Sequence, residues 1–237
     1  MKKIIITAAF LVFSTISAKA VDLGFFSLTA GLASNNSVWG ASATQEKFNE
    51  LGTASTGVLN ESGVFTESYS SQFIELGLGE WISLGYEHTP DSISTPNIIT
   101  NEGNADQNSI RVDFNDVNTA YLKINTPWGL YVKAGSVETN VDIKEVMGSG
   151  NTYQNMSTQG SSVGAGYQKY IGESGFGLRI EANYTELDKI STNNGVTKVG
   201  ANPGANAATG GRNEVSAKNL EGLSAKLAVT YTLGRNN

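Results

Sequence analysis

Long stretches of this chain alternate apolar and polar residues with a period of two, the spacing of a β-strand that sends successive side chains to opposite faces. Phe26, Leu28, Ala30 and Leu32 share one face against Ser27, Thr29 and Gly31. Ile74, Leu76 and Leu78 alternate with Phe73, Glu75 and Gly77, then Ile82, Leu84 and Tyr86 with Ser83, Gly85 and Glu87, so the Gly79-Glu80 step between them predicts a hairpin. A second hairpin pairs Ala120, Leu122 and Ile124 with Leu130, Val132 and Ala134 through the turn Thr126-Pro127-Trp128-Gly129, where Pro presets φ and Gly frees it. The third joins Val163, Ala165 and Tyr167 to Phe176, Leu178, Ile180, Ala182 and Tyr184 through Gly172-Glu173-Ser174-Gly175. A last strand carries Leu223, Ala225, Leu227, Val229, Tyr231 and Leu233.

One strand, three hairpins and a closing strand make eight. The connections alternate between three short turns and four long segments, near 34–68, 90–108, 147–160 and 187–217. That rhythm predicts an all-β fold, a closed antiparallel up-and-down transmembrane β-barrel with short periplasmic turns and long extracellular loops. The count is ten if Val58 to Phe65 adds a hairpin of its own, and Ala43 to Leu51 is read as a short helix within the first loop. Closure matters because an open strand edge in lipid leaves backbone groups unpaired at several kcal/mol each. Trp81, Trp128 and Phe176 lie beside the short turns and Tyr231 lies near the end of the last strand, while Tyr86 and Tyr184, with Phe114 as a third candidate, fall toward the other rim. Two aromatic girdles of this kind mark where strands leave the hydrocarbon for the headgroups. A soluble sandwich has no need to segregate short turns and long loops to opposite ends.

The opposite face is expected to line the lumen. It carries Glu75, Glu87, Asp113 and Glu181 together with Arg111, Lys123, Lys133, Arg179 and Lys226. Eight strands enclose a space that side chains fill, and charges in a dry interior must pair. The set therefore reads as a stabilising polar plug, with a gated narrow pore as the functional alternative.

Composition fits this picture without demanding it. The mean hydropathy of −0.19 and the 39% hydrophobic share are those of an ordinary polar domain, but an alternating strand averages out to such values. The chain has no Cys and a single His, His88, so no disulfide framework, no thiolate metal site and no cofactor or metal centre is expected. Lys2 and Lys3 precede the apolar run Ile4 to Phe13 and the small-residue site Ala18-Lys19-Ala20, the pattern of a cleavable signal peptide over residues 1–20, which leaves 21–237 as the barrel. Its removal takes three lysines and moves the net charge from −6 to −9, which excludes nucleic acid as a partner.

The signal peptide, the three turns and the closing strand Leu223 to Leu233 resemble those of the small eight-stranded outer-membrane β-barrel superfamily that includes the OmpA transmembrane domain, OmpX, OmpW and the Opa-type adhesins. The resemblance is architectural and covers the mature chain; no short motif points to one member. It implies outer-membrane localisation, a surrounding of outer-membrane lipids, and periplasmic chaperones and the barrel-assembly machinery as biogenesis partners. That machinery reads a terminal aromatic in such families, whereas this chain runs on through Gly234-Arg235-Asn236-Asn237 after Tyr231 and Leu233.

Enzyme motifs fail on inspection. Gly160-Ser161-Ser162-Val163-Gly164 matches G-x-S-x-G but leads into a strand instead of a helix. His88 is followed by Thr89-Pro90, with no serine two residues on as in barrel lipid A deacylases. No catalytic residue is assigned, and no enzymatic role is expected. Recognition is then left to the loops. The first two carry Glu46, Glu50, Glu61, Glu67, Asp91, Glu102 and Asp106 against the single Lys47, an acidic excess without calcium-loop spacing, read as solvation. The fourth loop is Gly-, Asn- and Ala-rich. The expected function is a structural or surface-interaction role with loop-borne recognition of an extracellular partner; the alternatives are a narrow porin-like channel for small solutes or apolar molecules and, more remotely, a lipid-modifying enzyme.

Overall fold

A computed structural model of the chain describes residues 23–48, 55–101, 107–146, 152–194 and 213–234. The signal-peptide segment, the Gly/Asn/Ala-rich stretch of the fourth loop, and Glu50, Glu102 and Asp106 lie outside the described residues.

The described residues form antiparallel strands. β1 (Phe26–Phe48), β2 (Ser55–Leu78), β3 (Ile82–Thr89), β6 (Gln107–Asn125), β7 (Leu130–Val146), β8 (Met156–Tyr170), β9 (Phe176–Leu187) and β11 (Asn213–Leu233) are hydrogen-bonded in that order. β11 pairs back onto β1 from Leu28↔Leu233 onward, so a ring of hydrogen bonds runs through eight strands. Three short strands ride on this ring: β4 (Ile93–Ser94) and β5 (Ile98–Asn101) pair with β6, and β10 (Ile190–Asn193) pairs with β11.

Below the bulges the period-two signal is obeyed. Leu32, Ile74, Leu84, Leu122, Val132, Val163, Ile180 and Leu227 are exposed on the outer surface, while Glu75, Lys123, Lys133, Arg179, Glu181 and Lys226 are buried within. The three short turns lie where Gly79, Gly129 and Gly172 take positive φ, which an L-side chain adopts only with strain.

Strand length departs from the sequence reading. About 10 residues suffice to cross a bilayer, yet β1 has 23 and β2 has 24. The segment 34–68 is therefore mostly a continuous hairpin rather than a loop. The helix expected from Ala43 is not formed: β1 runs to Phe48, paired with β2 on one edge and with β11 on the other as far as Lys47. Val58 to Phe65 continues β2 and adds no separate hairpin. Cross-strand pairing on both edges of β1 outweighs the local helix signal of Glu46, Lys47 and Phe48.

Two bulges tune the upper half. Asp116, at φ 52, sits in an extra residue of β6 between Asn115 and Asn118, and Asn219, at φ 54, marks the irregularity opposite Gly40 and Ser42. An extra residue in one strand of a pair reverses which side chains face inward beyond it.

Candidate functional site: the filled barrel interior

Seven charged side chains from six strands meet in the middle of the barrel. Arg179 of β9 donates two hydrogen bonds to the Glu75 carboxylate of β2, at 2.8 and 2.7 Å, and the same carboxylate accepts from Lys123 and, at 2.8 Å, from the Tyr121 hydroxyl. Arg179 also donates to Gln168 Oε1, and Gln168 donates on to Thr230. Beside this cluster, Lys226 lies 2.6 Å from Glu87 and 2.9 Å from Glu181, and Lys133 lies 3.3 Å and 2.7 Å from the same two carboxylates. Tyr131 donates to Glu181 at 2.6 Å, and Ser71 donates to Glu87 at 2.7 Å while accepting from Asn35. Every carboxylate thus has several donors, the condition under which buried charge is tolerable.

Glycine makes room for the rings that frame the plug. Phe73 lies opposite Gly31, Tyr121 opposite Gly85 and Tyr131 opposite Gly166 in the strand registers. A Cβ on those glycines would come within 2.1, 2.2 and 2.5 Å of the three rings. The rings in turn hold cations: Arg179 sits 4.6 Å from the Phe73 centroid and Lys133 4.6 Å from that of Tyr121, within the range of a cation–π contact.

Arg111 and Asp113 do not join this network. They pair with each other at 2.9 Å, and the Arg111 side chain is 45% exposed. The bulge at Asp116 is the reason. It reverses the parity of upper β6, so that Phe114 turns inward opposite Val141 and Asp113 turns to the other face opposite Asp142. Phe114 accordingly leaves the girdle and enters a second interior layer with Ile93, Val137, Val141, Leu187 and Leu220, packed against Trp39, Val117 and Met156. A small apolar cavity lies among Trp39, Ile93, Phe114, Val117, Val137 and Leu187. The sequence reading missed this apolar layer. Its signal was the continuation of the inward parity through Val137 and Val141, past the end of the hairpin strand as read, and to Leu187 at the start of the fourth loop segment.

At the short-turn rim Trp81, Trp128 and Phe176 are exposed, and Phe176 packs against Tyr231 with ring centroids 4.9 Å apart. Toward the opposite rim, exposed Tyr86 donates from its hydroxyl to Asn118, which also contacts His88 Nδ1. Tyr184 is likewise exposed. Among the described residues no group of three or more His, Cys, Asp or Glu is arranged to hold a metal ion.

No family model matches the chain, and no curated protein does. Solved structures do. The outer-membrane protein OprG of Pseudomonas aeruginosa aligns with a TM-score of 0.54 at 10% identity, over 85% of this chain and 96% of that one. AlkL, solved in lipid bilayers, gives 0.45 at 12% identity over 94% and 97%, and Ail of Yersinia pestis 0.37 at 11% over 85% and 99%. The chain thus has the fold of a small outer-membrane β-barrel; at these identities the likeness extends to the fold and no further.

Proposed function

We propose that the chain is a bacterial outer-membrane barrel whose lumen is closed and whose role is structural or surface-interacting, with the long-strand end facing outward. The observation that carries this reading is the plug: seven interlocked charged side chains, together with the apolar layer above them, fill the interior. An interior committed to pairing its own charges supports a scaffold rather than a conduit. The exposed apolar face between two sets of exposed aromatic rings supports placement in a bilayer. Residues 1–20 are proposed as the signal peptide that directs export, and the assembly machinery, its chaperones and the surrounding lipids as the partners that follow. No catalytic role is proposed.

A narrow channel is the second reading, favoured by one detail. Lys133 and Lys226 each touch both Glu87 and Glu181, an arrangement in which partners can exchange without stranding a charge. Planar-bilayer recording separates the two. A plugged lumen gives no discrete conductance steps in the wild type, whereas steps that Lys123→Ala or Arg179→Ala enlarge establish the channel. A heat-dependent band shift on a denaturing gel and β-rich circular dichroism in detergent test the barrel itself, and solubility of the mature protein without detergent would defeat the membrane reading.

A further inference from the structure

The ring of strands is not sealed along its whole height. β2 pairs with β3 only from Gln72↔His88 to Leu78↔Ile82, and above that point β4 and β5 take β3's place beside β6 without pairing to β2. The upper length of β2 is therefore hydrogen-bonded to no described strand on that side, although β4 approaches its lower end. Its direction is fixed by one bond. The Ser70 N–H points away from β1 and donates to Asp91 Oδ2 at 2.9 Å, with the Ser70 hydroxyl donating to the same oxygen at 2.5 Å. The β1–β2 register is unbroken from Phe26↔Leu78 to Lys47↔Gly57. Every second residue must then turn its N–H and C=O the same way, which sends those of Val58, Asn60, Ser62, Val64, Thr66 and Ser68 to the open edge. Asp91 stands in for a neighbouring strand at Ser70.

Natural edges are guarded by charged side chains, above all Lys, by Pro or by a bulge, and the only charges on this edge are the acids Glu61 and Glu67. Basic and conformational guards are missing: β2 above Ser70 contains no Pro, no Lys and no register shift before Lys47/Phe48. The charge around it is one-sided. No Lys or Arg occurs anywhere between Lys47 and Arg111, a stretch that includes Glu61, Glu67 and Asp91, and Arg111 is occupied by Asp113.

From this we infer that the edge Val58–Ser68 accepts an added β-strand from a basic, extended segment of another polypeptide. Main-chain hydrogen bonds supply the pairing and the acidic surroundings select the sign of charge. A second copy of this chain fits less well, because two such edges would bring four glutamates together without a base. The inference rests on the surface-interaction reading and names the class of partner.

The test uses the full chain in phosphatidylcholine vesicles and an alternating ten-residue Thr-Lys peptide. Calorimetry is expected to show binding at least tenfold tighter than for the Thr-Glu peptide of equal length. Hydrogen exchange is expected to slow at least tenfold at the amides of residues 58, 60, 62, 64, 66 and 68, with the odd-numbered amides, already bonded to β1, unchanged. Val64→Pro removes an edge N–H without touching the β1 pairing and is expected to weaken binding about tenfold or more. A peptide N-methylated at alternate positions tests the same bonds with the protein unaltered. Binding that survives both changes is charge adhesion and overturns the proposal, as does absence of amide protection. Edge protection that rises with protein concentration, without peptide, assigns the edge to a second copy and also overturns it. Failure of the peptide with a non-conducting barrel removes only the partner; discrete conductance steps remove the reading beneath it.

Discussion

Replacing Glu75 by Gln puts the plug under its most informative stress. Among the described residues the central network holds three carboxylates, Glu75, Glu87 and Glu181, and four cations, Lys123, Lys133, Arg179 and Lys226, all 8% exposed or less. It is already one positive charge in excess. Glu75 is shared by Arg179 and Lys123, whereas Lys133 and Lys226 are matched by Glu87 and Glu181. Glu75→Gln keeps the shape, removes the only carboxylate that pairs with Arg179 and Lys123 among the described residues, and doubles the excess. Breaking a buried pair by deleting one partner costs about 3–5 kcal/mol, which at about 1.4 kcal/mol per decade is a loss of more than a hundredfold in folding equilibrium. Lys123→Met removes the surplus cation and leaves Glu75 with both Arg179 bonds and the Tyr121 hydroxyl. Loss of one charge-assisted bond, about 1.5–3 kcal/mol, is then offset by relief of a buried unmatched charge, and the net change is expected within about 1 kcal/mol. Urea titration in short-chain lipid vesicles, followed by tryptophan emission in the folding and unfolding directions, measures both variants. A Glu75→Gln protein within 1 kcal/mol of wild type, or a Lys123→Met protein as unstable as Glu75→Gln, refutes the assignment of Lys123 as the surplus charge.

Five further substitutions, two of them controls, test other parts of the architecture. Gly31→Ala drives a methyl to within 2.1 Å of the Phe73 ring and is expected to cost about 1–3 kcal/mol by overpacking, whereas Gly40→Ala, with nothing within 4 Å, is neutral in the same titration. Ile180→Arg, at the middle of the outward apolar run of β9, is expected to cost about 2–4 kcal/mol in vesicles; Val64→Arg, equally outward and 74% exposed but far up β2, costs close to nothing. Equal effects at the two sites would remove the bilayer boundary drawn between them. Asp91→Ala leaves the Ser70 N–H without its carboxylate, and the exchange rate of that single amide, read by NMR, should rise by about tenfold.

The residues legible in the sequence are those whose two faces meet different surroundings. From Phe73 to Glu87, Thr119 to Gly135 and Val163 to Tyr184, one face meets solvent-excluded charge and the other the outside, and the alternation survives as a chemical contrast. Upper β1 and β2 lose that contrast. Ser34, Asn35, Asn36 and Ser37 form strand as regularly as Leu28 to Leu32, but Asn35 and Ser37 are buried polar groups and Ser34 and Asn36 exposed ones, so no hydropathy period marks them. Bulges defeat parity in a different way. Nothing in Asn115-Asp116-Val117-Asn118 announces an inserted residue, beyond the tolerance of Asp and Asn for positive φ, yet that residue moves Arg111 and Asp113 out of the plug and Phe114 into the interior.

What parity cannot predict, volume constrains. A barrel of this strand number leaves just enough room for side chains to fill it, and three large rings can enter beside seven long charged groups only where the facing strand gives up its own side chain. Gly31, Gly85 and Gly166 stand directly across from Phe73, Tyr121 and Tyr131 for that reason. The same pairing fixes the cations, because the rings that fill the space left by glycine are the ones over which Arg179 and Lys133 lie. Register, glycine placement and charge placement are therefore one constraint. A slip of β2 against β1 by one residue would set Phe73 against a side chain, turn Glu75 outward and leave Arg179 and Lys123 buried without a carboxylate, which makes the plug itself the strongest determinant of which strands pair and in what alignment.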